Sequence, residues 1–92
     1  MINDEHLAAR VRRILKDIAP RADVERLNPG HSFRDQLDMD SVDYLNFVLA
    51  LEAETGVRIP DGDYPKLSTL AGCIDYLEAG LRRSHDMVAV AV

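Results

Sequence analysis

Tryptophan is missing from this chain, and aromatic residues make up only 5% of it. The core must therefore be built mainly from Leu, Val, Ile and Ala. Cysteine occurs once, at Cys73, which excludes an internal disulfide. A short chain without bridges points to a reducing, cytoplasmic setting rather than secretion. No run approaches the roughly 20 apolar residues that a membrane span needs. The opening stretch, MINDEHLAARVRR, is charged from its fourth residue and has no apolar segment, so no signal peptide is expected there. Period-two alternation is confined to AVAV near the end, and there is no internal repeat. Strands are not expected.

What is present suits one small domain. The chain has 92 residues, 47% hydrophobic and 29% charged, with a formal net charge of −5. The charge is uneven: residues 1–34 sum to +2, residues 35–63 to −7, and residues 64–92 to zero. The acidic middle excludes a nucleic-acid surface there and would steer a basic protein partner toward it.

The apolar spacing predicts three substantial helices. Leu7, Val11, Ile14, Leu15 and Ile18 form one stripe over about 4–19, with Asn3 or Asp4 as cap and Pro20 as stop. A second helix starts at Asp40 or Ser41 and runs to about Thr55. Asp40 caps it, Asp43 stands at the third position as in a capping box, and Gly56 ends it. Its inward stripe is expected to be Val42, Leu45, Leu49 and, on the flank, Val48. The last helix follows a cap at Ser68 or Thr69 and carries Leu70, Cys73, Ile74, Leu77 and Leu81 on one stripe, with Gly80 weakening its end. Residues 20–37 read as a long loop pinned by Phe33 and Leu37, and Pro60 and Pro65 bracket at most one short helical turn. The expected fold is all-α: a small up-and-down-like bundle of three main helices plus one short one. A single domain is expected over 1–83 and a mobile tail over 84–92.

Most catalytic and metal readings fail on spacing. Asp38 and Asp40 match the first and third positions of a calcium loop. The glycine and the closing glutamate of that loop are replaced by Asp43 and Leu49. No metal site is expected. Cys73 lies on an apolar stripe, where a thiol is inert packing. A Ser-His-Asp triad would lack an oxyanion hole and a pocket. A DNA-reading second helix would have to carry Asp43, Glu52 and Glu54 into the groove without a base.

Ser41 remains, in the stretch DMDSVDYLNF. A helix-start serine commonly bonds its own backbone. Here Asp40 already serves as cap, which leaves an exposed first-turn hydroxyl in the most acidic part of the chain. The positive end of a helix tolerates an attached phosphodiester there.

DMDSVD is similar to the Asp-Ser-Leu modification motif of acyl carrier proteins. The resemblance continues through FRDQLDMDSVDYLNFVLALEAETGVRIPDGDYPKLSTLAGCIDYL, residues 33–77, and reaches back over the first helix. It implies a non-catalytic carrier bearing 4′-phosphopantetheine, taken from coenzyme A by a phosphopantetheinyl transferase, on Ser41, with Asp40 as the acid before it. Acyl- or aminoacyl-loading ligases, synthases or transferases would be the other partners. The chain departs from the pattern at Asp38 (usually Gly), Val42 (usually Leu), and Asn46 and Ala53 (often Glu). Its recognition face is thus only partly of the fatty-acid synthesis type, and a dedicated, short-chain or aminoacyl carrier fits as well. Aminoacyl and peptidyl carriers more often show glycines before the serine, which this chain lacks.

Partner docking is expected on Asp38, Met39, Val42, Asp43, Asn46, Glu52 and Arg58. An apolar cargo would enter between Leu45, Leu49, Ile59, Leu70 and Ile74. A monomer is expected. The competing reading is an unmodified helical adaptor that uses its acidic face for protein binding alone.

Overall fold

The structure, a computed structural model, describes the backbone of residues 4–91 and the side chains of residues 5–83. Among the described residues every regular element is helical. Helix α1 spans Asp4–Ile18, α2 Phe33–Leu37, α3 Ser41–Thr55 and α4 Leu70–Ala91, with 3-10 segments at Val24–Arg26 and Asp61–Leu67. Helix α1 packs on both α3 and α4.

The α1 stripe is as the spacing predicts: Leu7, Val11, Ile14 and Leu15 are buried, and Ile18 packs at the edge. Pro20 follows its end. Asn3, one of the two expected caps, lies outside the described residues. In α4, Leu70, Cys73 and Leu77 are buried, and Thr69 Oγ1 accepts from the N–H of Gly72 at 2.9 Å. Gly80 does not end this helix. A Cβ there would stand 2.4 Å from Cγ1 of Val57, so its bare backbone is what lets the α3–α4 connection pack. The expected mobile tail falls on residues whose side chains lie outside those described, and the α4 backbone is continuous to Ala91.

Residues 20–37 are not one irregular loop. Val24 and Leu27 are buried, and Ser32 caps α2 by accepting from the N–H of Arg34 at 3.2 Å. Gln36 laces the turn: its amide donates to the carbonyls of Asn28 (3.0 Å) and His31 (2.9 Å), and its oxygen accepts from Asn28 N–H at 2.7 Å. The N–H groups of Phe33 and Ala71 donate to Ser68 and Pro29, tying the segment to the start of α4. These partners are distant in sequence, so helical spacing alone does not reveal α2. Its end does have a local cause: Asp38 is left-handed at φ 55°, at the position where the family pattern has glycine. The Asp61–Leu67 segment is also longer than the single turn expected between its prolines.

Helix α3 has its expected ends but not its expected face. Phe47, Val48 and Leu51 are buried, while Val42, Leu45 and Leu49 are 65%, 42% and 47% exposed. Apolar residues surround this helix, so its spacing does not select one stripe. The aromatic ring decides. Phe47 meets Phe33 edge-on, 5.3 Å between centroids at 77°, and burying a ring of that size outweighs burying Leu45.

Candidate functional site

The site is built where α2 ends and α3 begins. Asp38 turns the chain, and the buried Met39 anchors it to the core. Asp40 then caps α3. Its Oδ1 accepts from the N–H of Asp43 at 2.8 Å, while Asp43 Oδ2 accepts from the N–H of Asp40 at 3.5 Å. The reciprocal box occupies both acids with backbone donors. Ser41, the first residue of the helix, is therefore free of capping work and exposed.

Its one described side-chain partner comes from α2. Arg34 Nη2 donates to Ser41 Oγ at 3.4 Å, and Arg34 Nε donates to the carbonyl of Met39 at 3.5 Å. Sequence reasoning missed Arg34. The available signal was its place as the last base before the acidic stretch.

The other expected residues scatter. Asp38, Val42, Asn46 and Arg58 are exposed, and Asp43 is partly so. Met39 is 5% exposed and cannot present its side chain to a partner. Glu52 is engaged internally: its Oε2 accepts from Ile59 N–H at 3.0 Å and closes the turn after Gly56. The five residues expected to line a cargo space do not share one. Leu45 and Leu49 face outward, Ile59 and Leu70 are buried in the core, and Ile74 joins Leu70 at an open indentation with Ala8, Arg12 and Pro29.

The groups with shifted proton affinity serve packing. Burial, with a smaller contribution from Cys73, pushes Tyr44 up to about 12, and its hydroxyl donates to the carbonyl of Tyr64. Burial pushes the Cys73 thiol up as well, and its Sγ donates to Leu67 O at 3.3 Å. Among the described residues no group of three or more His, Cys, Asp and Glu could hold a metal ion. No helix there is long and apolar enough to cross a membrane.

Among the described residues, then, a small helical bundle offers an exposed hydroxyl at the start of α3, the arrangement a carrier domain would use. The family model for the phosphopantetheine attachment site matches residues 9–77. Acyl carrier proteins of Acidothermus cellulolyticus and Thermosynechococcus vestitus are 35% and 34% identical, with 83% of this chain covered in each case and 89% and 93% of theirs. The acyl carrier protein structure from Enterococcus faecalis superposes with a TM-score of 0.72 at 26% identity, covering 86% of this chain and 99% of that one. A hexanoyl carrier of the actinorhodin polyketide synthase of Streptomyces coelicolor gives 0.66 at 24% identity, covering 79% and 87%, and shares the fold. The chain belongs to the acyl carrier protein family, whose members are non-catalytic and whose prosthetic group is 4′-phosphopantetheine.

The residues present fit that group. The Ser41 hydroxyl is open to solvent, and a guanidinium with no carboxylate ion pair among the described residues stands beside it, where a phosphodiester would bring negative charge. When bound, the group supplies a flexible arm ending in a thiol that holds a carboxylic group as a thioester.

Proposed function

We propose that Ser41 carries the phosphopantetheine arm and that the chain presents an acyl or aminoacyl cargo, as a thioester, to partner enzymes. One observation carries this reading. Asp40 and Asp43 form the cap of α3 between them, so the exposed Ser41 hydroxyl has no capping duty that modification would disrupt. Attachment replaces the Oγ–H bond with an Oγ–P bond. The proton passes to the phosphopantetheinyl transferase, and the nucleotide part of coenzyme A leaves with the broken P–O bond.

The partner surface in this reading is the outer face of α3. Val42, Leu45 and Leu49 expose apolar side chains beside Ser41, with Asn46 among them and Asp38, Asp40 and Asp43 at the serine end. Apolar contact gives area, and the acids orient a basic partner. Tethering turns each later reaction into an event at raised effective concentration, so these contacts can stay weak enough to release.

Intact mass tests the assignment. Incubation with coenzyme A, magnesium and a broad-specificity transferase should add one phosphopantetheine, and Ser41→Ala should add none while keeping its helical circular dichroism. Unchanged mass in the wild type would favour the adaptor reading. Addition to Ser32 or Ser68 would move the site.

A further inference from the structure

We propose that Arg34 is a positioning residue for the prosthetic group: its guanidinium holds the phosphodiester that joins Ser41 to the arm. The proposal rests on Ser41 being the attachment residue. Among the described residues the Arg34 side chain makes two hydrogen bonds, both long and both to uncharged acceptors: 3.5 Å to Met39 O and 3.4 Å to Ser41 Oγ. A guanidinium has five N–H donors and gains most from a planar anion that takes two of them. Arg34 has no such partner among the described residues, although Asp35, Asp38, Asp40 and Asp43 are all near it in sequence. Asp40 and Asp43 have turned their carboxylates to each other's backbone. The base is thus left uncommitted, and it is aimed at the oxygen to which phosphorus would bond.

Electrostatics gives the arrangement a purpose. A phosphodiester is an anion, and Ser41 sits in a stretch whose net charge is −7. Adding charge beside Asp40 is unfavourable unless a cation lies close. Arg34 supplies one, and its backbone is held in place before loading. Ser32 caps its helix, Phe33 is fully buried beside it, and Gln36 bonds the preceding turn. Its side chain already reaches Met39 O and Ser41 Oγ, so it need move little to take the phosphate.

The test reads the side chain itself. Wild-type protein labelled with nitrogen-15 is followed at the Arg34 Nε–Hε resonance before and after loading, and the phosphorus-31 line of the loaded protein is compared with that of loaded Arg34→Gln. The expected results are a downfield shift of the Arg34 resonance on loading and a displaced phosphorus line in the variant. The loaded form should also melt higher relative to the unloaded form in the wild type than in Arg34→Gln. Arg34→Lys should recover part of that difference, because it keeps the charge and loses the fork. Identical Arg34 resonances in unloaded and loaded wild type would overturn the proposal, and that measurement needs no variant to fold. Failure of the wild type to load, or loading of Ser41→Ala, would instead strike the attachment reading beneath it.

Discussion

The hydroxyl of Tyr76 on α4 donates to Asp63 Oδ2 at 2.7 Å, which fastens the 3-10 segment to the last helix. Lys66 approaches the same carboxylate, at 3.2 Å from Oδ1. The Tyr76 bond, then that of Lys66, holds the Asp63 carboxyl below its usual range, while burial and then Asp63 raise Tyr76 to about 12.

The pair contributes to both edges of a pH profile. Asp63 contributes stability above its ordinary pKa of about 4 and loses it as pH falls through the lower folded value. Tyr76 contributes below its ordinary pKa of about 10 and loses its share as pH rises toward 12. Urea titrations across pH should show both declines in the wild type and flatter ones in Tyr76→Phe. Superimposable profiles would show that the two groups are not coupled.

The exposed and buried faces of α3 should separate in mutagenesis. Leu51→Ala, at a fully buried position, should cost about 2–5 kcal/mol. Leu45→Ala should cost about 0.5 kcal/mol, as surface changes do, yet slow loading by the transferase if this face is the partner surface. Equal stability losses would return Leu45 to the core.

Charge and cap can be separated at Asp40. Asparagine caps as well as aspartate, so Asp40→Asn should keep the melting temperature while weakening the salt dependence of loading. Asp43→Lys removes half of the box and should cost about 1 kcal/mol, with a rate loss larger than that destabilisation explains. Loading rates indifferent to salt and to both changes would leave the apolar residues of α3 to carry docking.

Gly80→Ala should destabilise, although alanine is the better helix former by roughly 0.5–1 kcal/mol. The new methyl meets Val57, which is 3% exposed and has little room to move. Overpacking of this kind costs about 1–3 kcal/mol. Combining it with Val57→Ala should recover part of the loss in a double-mutant cycle of denaturant midpoints; strict additivity would deny the contact.

Cys73 should resist alkylation in the native state. It is fully buried, and its thiol is shifted toward the protonated form, which is the unreactive one. Modification by iodoacetamide should track unfolding in a denaturant series. Rapid labelling without denaturant would mean that α4 opens locally.

Helix ends were legible in the sequence because their causes are local. Pro20 stops α1, the Asp40–Asp43 box starts α3, and Gly56 takes the left-handed turn at φ 74° that closes it. The stretch proposed to carry the arm stands out for the same reason, since Asp40, Ser41 and Asp43 lie within one turn. The stripes of α1 and α4 could be read from spacing because each helix has one clearly apolar side. Two features waited for the tertiary structure. Helix α3 is apolar on several sides, so its inward face was settled by the edge-on contact of Phe47 with Phe33. Arg34 stands beside Ser41 only because α2 forms, and α2 depends on Phe33 packing into the core and on bonds to Asn28, His31 and Ser68. Periodicity records which residues can share a face. Which face wins, and which distant base arrives at the serine, depends on burial and hydrogen bonds between segments that only the folded chain brings together.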